Sequence, residues 1–141
     1  SSSSIDGAAE GTVAFHFKYL DLRFPDSKFI LTTRELFSWL KSCERAINDI
    51  YPADRLTETH EFYNAMIRNR ATRYGGLEYN RERLIEKYYQ HHADVIQHFK
   101  GRMDQLLIID LTAQSNQWEL LCPFLNTAIP SQNFPHITET L

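Results

Sequence analysis

Glycine is scarce in this chain: five in 141 residues, with one adjacent pair at Gly75-Gly76. A loop that cradles phosphate on its backbone N–H groups needs several glycines between a strand and a helix. No stretch of this sequence supplies them. An excess of positive charge is missing too. Fifteen Lys and Arg stand against 18 Asp and Glu, for a net charge of −3, which argues against a nucleic-acid partner. No apolar run approaches the roughly 20 residues that cross a bilayer, and no secretory leader pattern opens the chain. The expectation is no membrane partner and a cytoplasmic setting. Cysteine is limited to Cys43 and Cys122, each inside an apolar helical pattern. Such placement fits buried free thiols in a reducing compartment better than a disulfide or a metal site.

What is present is a core-forming composition, 43% hydrophobic and 13% aromatic, on a chain long enough for one domain. The opening SSSSIDGAAEGT is small and polar and reads as a flexible segment over residues 1–12, with the domain proper over 13–141. Residues 28–42, KFILTTRELFSWLKS, organise the rest. Residues 29–33 form an unbroken apolar and β-branched run suited to a buried parallel strand. Arg34 follows at once, and Leu36, Leu40 and Cys43 then recur at helical spacing. In open α/β sheets ligands sit where a strand's C-terminal end meets a helix. Arg34 would stand there, with Ser42 about two turns down the helix. A guanidinium fork and a hydroxyl together can clamp a phosphate. The plainer reading pairs Arg34 with a helix acid and leaves Ser42 in water.

The flanking pattern is helical with one more strand. Val13, Phe17, Leu20 and Phe24 form an apolar face before the Pro25-Asp26 turn. Tyr51-Pro52-Ala53-Asp54 ends the central helix. A helix over residues 57–73 follows, with Thr57 as N-cap and Phe62, Met66 and Ile67 as its apolar face. Arg68, Arg70 and Arg73 crowd its end, where cations either greet an anion or simply suit the helix dipole. Asn80 caps the longest helix, which runs to about Lys100 and carries the stripe Leu84, Tyr88, His91, Val95, Phe99. His91, Asp94 and His98 lie on neighbouring turns, but no further ligand completes a metal set, and no metal is expected. Residues 106–111 read as a second buried strand. Two such strands separated by helices imply parallel pairing through a crossover. Trp118 opens a last helix whose Trp118, Leu121, Phe124 and Leu125 are expected to seal the sheet.

FPDSKFILTTR followed by SWLKS resembles the 3′-phosphate signature of sulfotransferases that use 3′-phosphoadenylyl sulfate. In that family an arginine closes the strand and a serine follows eight positions later, matching Arg34 and Ser42. Tyr88, His91, Val95 and Phe99 match the family's helix at the same offsets. WELLCPFLNTAIPSQNFPH, from Trp118 to His136, is similar to its C-terminal signature. The resemblance implies a three-layer α/β/α fold with a parallel sheet, of the P-loop-like sulfotransferase type. It also implies transfer of a sulfuryl group from 3′-phosphoadenylyl sulfate to a small-molecule or carbohydrate hydroxyl or amine. The spent cofactor would be adenosine 3′,5′-bisphosphate. Arg34 and Ser42 become cofactor-binding residues. Tyr74 joins them, because a Tyr-Gly pair in the family approaches the nucleotide or the acceptor. Glu10 stands where the family has an acid ahead of the first helix and is the catalytic candidate, although Thr12 replaces the proline that follows.

Two departures qualify this. The family's glycine-rich loop for the 5′-phosphosulfate has no counterpart, so the sequence holds one half of the cofactor site. It reads as a piece expected to bind weakly and not to turn over alone. The late basic loop that covers the 3′-phosphate in cytosolic animal sulfotransferases is also absent, so another donor replaces it or the phosphate is more exposed. Two alternatives stay open. A P-loop nucleotide or sugar kinase relative would need a GxxxxGK[ST] loop upstream. A non-catalytic interaction module would expose an apolar face and form a homo-oligomer.

Overall fold

The computed structural model describes residues 7–8, 11–50, 61–113 and 116–135. Helix α1 (Gly11–Arg23) leads to strand β1 (Phe29–Thr33) and helix α2 (Leu36–Arg45), which a π-helical turn (Ala46–Ile50) extends. Helices α3 (Glu61–Tyr74) and α4 (Arg81–His98) follow, then a 3₁₀ turn (Met103–Gln105), strand β2 (Leu106–Asp110) and helix α5 (Trp118–Leu125). The strands pair in parallel, from Phe29 opposite Leu106 to Thr33 opposite Asp110. This is the α/β architecture with a parallel sheet that the sequence implies; among the described residues the sheet holds two strands. The expected turn at Tyr51-Pro52-Ala53-Asp54 and the Thr57 cap lie outside the described residues.

Two apolar clusters hold the helices in place. Phe29, Leu31 and Leu106 of the sheet pack with Phe17 of α1 and with Val95 and Phe99 at the end of α4. Phe99 is fully buried, its ring 4.9 Å from Phe29. A side chain of this kind contributes about 1.5–3 kcal/mol when removed from water. The second cluster joins Leu40, Cys43 and Ile47 to Leu84 of α4, with Trp39, Tyr74 and Tyr79 against it. The α4 stripe read from the sequence therefore bridges both clusters. Asn80 caps α4 by accepting from the Arg83 N–H at 2.9 Å, and Gly101 with φ 88° turns the chain away after its end.

Two expectations are corrected. Phe24 does not extend the apolar face of α1; it is 55% exposed. The following proline disfavours helix at the residue before it, so α1 closes at Arg23 and Phe24 swings outward in the turn. Leu125 does not seal the sheet either and is 40% exposed. Helix α5 is only eight residues long, contains Pro123, and ends on left-handed Asn126. Its buried position is Cys122, and the helix packs against β2.

Asp21 bolts α1 to the end of α4. Arg102 reaches it through Nη1 at 3.0 Å and Nη2 at 2.7 Å, and His98 Nε2 lies 2.7 Å away. The guanidinium also stacks over Phe99. The Arg102 hydrogen bonds hold the Asp21 carboxyl below the usual carboxylate range, with His98 adding to the effect against the cost of burial. Asp21 therefore stabilises the fold fully above about pH 4, and that contribution is lost as pH falls through its own lowered pKa. Asp21→Asn is expected to lower Tm at pH 7 by about 3–6 °C. The gap from wild type should close on acidification, which a series of melts across pH checks.

Both cysteines are buried and unbridged. Burial pushes the Cys43 thiol up to about 11, although the charges of Arg73 and Arg34 oppose the rise. A thiol so placed is a poor nucleophile at neutral pH. Native protein is expected to resist an aromatic disulfide reagent at pH 8, with both thiols reacting once denaturant unfolds the chain. Rapid labelling of native Cys43 would contradict this packing.

Candidate functional site

The carboxyl ends of β1 and β2 lie side by side because the strands are parallel and in register, with Thr33 beside Asp110. The next residue after β1 is Arg34, and α2 begins two residues later. Arg34 is tied down at both ends. Its carbonyl oxygen accepts from the Tyr88 hydroxyl of α4 at 2.7 Å. Its Nε–H donates to Ser38 Oγ at 2.8 Å. No ion pair of Arg34 exists among the described residues, and the terminal nitrogens of its guanidinium have no hydrogen-bond partner there. A guanidinium held by Nε with its outer edge unpaired is a ready fork for an oxyanion.

The first turn of α2 shapes this site by what it withholds. Glu35 is the N-cap, and its carboxylate accepts from the Phe37 N–H at 2.8 Å and the Ser38 N–H at 2.7 Å. The free donors that make a helix start attractive to anions are thus partly used by the chain itself. Among the described residues, the cation that follows β1 directly is the Arg34 side chain. Opposite it, Asp110 accepts from the Thr112 N–H at 2.8 Å and the Thr112 hydroxyl at 2.7 Å. These bonds hold its carboxyl below the usual range, helped more weakly by the charge of Arg34. Burial raises the Tyr88 phenol above its ordinary value, so Tyr88 stays protonated and able to donate.

Arg34, Ser38 and Ser42 follow one another at intervals of four, so the two serines share one face of α2. Arg34 meets Ser38; Ser42 stands one turn further on, half-buried. The arginine pairs with no helix acid among the described residues. Tyr74, at the end of α3, packs against the cluster that Leu40 and Cys43 of α2 form with Ile47 of the π-helical turn and Leu84 of α4. Arg70 beside it is buried and donates to the Ile47 carbonyl at 3.0 Å, whereas Arg68 and Arg73 are exposed. The Tyr74-Gly75-Gly76 turn closes on Arg83, whose Nη1 donates to the Gly75 carbonyl at 3.0 Å. Glu10 lies outside the described residues. His91 packs edge-on to Phe17 and His98 faces Asp21. No three His, Cys, Asp or Glu side chains among the described residues are grouped to hold a metal ion.

Sequence reasoning passed over Ser38, Tyr88 as a hydroxyl donor, and Asp110. The spacing from Arg34 to Ser38, one helical turn, carries a signal that the longer spacing to Ser42 overshadowed. The Asp110-x-Thr112 pattern is an Asx turn readable from residue types. The contact of Tyr88 with Arg34 spans 54 positions and has no local signature.

Comparison with known proteins bears on this arrangement. The model of a family described as a sulfotransferase domain matches residues 3–140. The Ava biosynthesis cluster protein M of Aspergillus versicolor is 27% identical over 143 residues, which cover 94% of this chain and 54% of that protein. The chain therefore spans about half the length of this curated relative. No helix among the described residues is long and apolar enough to cross a membrane. With the family match running almost end to end over the strand, arginine and helix just described, the chain belongs to the sulfotransferase domain family.

Proposed function

We propose that this chain binds the 3′-phosphate of 3′-phosphoadenylyl sulfate and serves in sulfuryl transfer to a hydroxyl or amine of a small-molecule or carbohydrate acceptor. The observation that carries the reading is the Arg34 guanidinium at the end of β1, anchored through Nε with its outer edge unpaired among the described residues. In the transfer, the acceptor's oxygen or nitrogen attacks sulfur and the bond from sulfur to the bridging phosphate oxygen breaks. The acceptor proton passes to a base, and adenosine 3′,5′-bisphosphate leaves with the electron pair on that oxygen. Arg34 and Ser42 take no part in those bonds. Their role is to hold the far end of the nucleotide, converting its binding energy into orientation at the reacting end. Tyr74 is proposed as a further nucleotide contact and Glu10 as the base. A setting in the cytoplasm, where the thiols stay reduced, belongs to the same reading.

Charge-assisted hydrogen bonds of this kind contribute about 1.5–3 kcal/mol each. Arg34→Ala is therefore expected to weaken adenosine 3′,5′-bisphosphate binding at least about tenfold by calorimetry. Adenosine 5′-phosphate, which lacks the group Arg34 would hold, should be almost unaffected. Equal affinity of wild type and variant for the bisphosphate, with Tm unchanged, would remove Arg34 from the site.

A second reading, a non-catalytic module that self-associates as a homo-oligomer, is favoured by one observation. Ile30 and Ile108, within the two paired strands, are each 40% exposed, and exposed apolar strand surface invites pairing with another copy. Gel filtration across a hundredfold concentration range tests it: an elution volume that stays monomeric throughout rejects this second reading.

A further inference from the structure

We propose that Ser38 is a positioning residue for anion binding, setting which edge of Arg34 meets the phosphate; this rests on the reading of Arg34 given above. A guanidinium can grip an oxyanion side-on, through Nε and one terminal nitrogen, or end-on, through both terminal nitrogens. Ser38 removes the first choice. Its Oγ accepts from the Arg34 Nε–H at 2.8 Å, so the side edge is filled and the end edge is left to the ligand.

The local backbone explains why Ser38 can do this. Helix α2 begins at Leu36, so the Arg34 carbonyl lies outside the helical ladder. The Ser38 N–H, which would otherwise bond to that carbonyl, is turned to Glu35 Oε2 at 2.7 Å. Tyr88 takes the carbonyl instead. Arg34 is therefore fixed to α4 by its backbone and to the first turn of α2 by its side chain. A free arginine loses substantial rotamer entropy when it is fixed in one geometry. Ser38 removes part of that freedom before the anion arrives, so less is lost on binding. The same bond aligns the Arg34 fork with the face of α2 on which Ser42 follows one turn later.

Ser38→Ala is expected to weaken adenosine 3′,5′-bisphosphate binding about three- to tenfold, the range for ordering one long side chain. Adenosine 5′-phosphate binding and Tm should stay as in wild type. Ser38→Thr, which keeps the hydroxyl, should restore affinity. In an Arg34→Ala background, Ser38→Ala should change nothing further. The bond itself can be read without nucleotide by ¹⁵N NMR of arginine side chains. The Arg34 Nε–H is expected to exchange slowly with solvent in wild type and Ser38→Thr, and fast in Ser38→Ala.

The outcomes separate the two levels of the argument. If wild type does not prefer the bisphosphate over adenosine 5′-phosphate, the 3′-phosphate reading fails and this proposal falls with it. If the preference exists but Ser38→Ala retains full affinity, the reading stands and Ser38 is not a positioning residue. An equal loss on Ser38→Ala with and without Arg34 also overturns the proposal, since Ser38 would then act independently. Fast exchange at Arg34 Nε–H in wild type overturns it regardless of nucleotide.

Discussion

The structure depends on one constraint, the parallel pairing of β1 with β2. Parallel strands cannot be joined by a tight turn; the chain must travel back along the sheet before starting the second strand. Here α2, α3 and α4 make that journey, and α4 completes it by burying Phe99 against Phe29. The same pairing brings both carboxyl ends to one edge, Thr33 beside Asp110. The candidate site is thus a consequence of topology: Arg34 stands at that edge because it is the first residue after a strand that must run this way. Even the hold on its carbonyl comes from the crossover, since Tyr88 lies on the helix that returns the chain.

Charge at that edge is allotted with some economy. Glu35 quiets the start of α2, and Asp110 is engaged by Thr112. Each carboxylate has a local use that keeps it off the arginine. What remains unpaired among the described residues is the terminal edge of Arg34. The opposite end of the sheet shows the contrasting use of an arginine: Arg102 is consumed by Asp21 and Phe99, and serves the fold.

Much of this was legible in the residues because it is local. The strand read from FILTT has the observed bounds, Asn80 caps α4 as its type suggests, and the α4 stripe faces the core. Errors arose where one side chain's fate depends on its neighbours in space. Phe24 has the right spacing for the face of α1, but Pro25 ends the helix before that spacing can act. Leu125 has the right hydrophobicity for a sheet seal, but α5 is too short to carry it inward. Within the site, Arg34 could be placed from strand and helix patterns alone. Its contacts could not: Tyr88 is distant in sequence, and the choice of Ser38 over Ser42 rests on where α2 begins. The Asp21–Arg102 pair, 81 positions apart, leaves no trace in either local pattern.

The central claim is that the cation at the end of β1 receives a 3′-phosphate. The most direct measurement is ³¹P NMR of adenosine 3′,5′-bisphosphate titrated with the protein, because its two phosphorus atoms report separately. The account predicts that the 3′ resonance shifts and broadens well ahead of the 5′ resonance. Response of the 5′ resonance alone, or of neither, would contradict it.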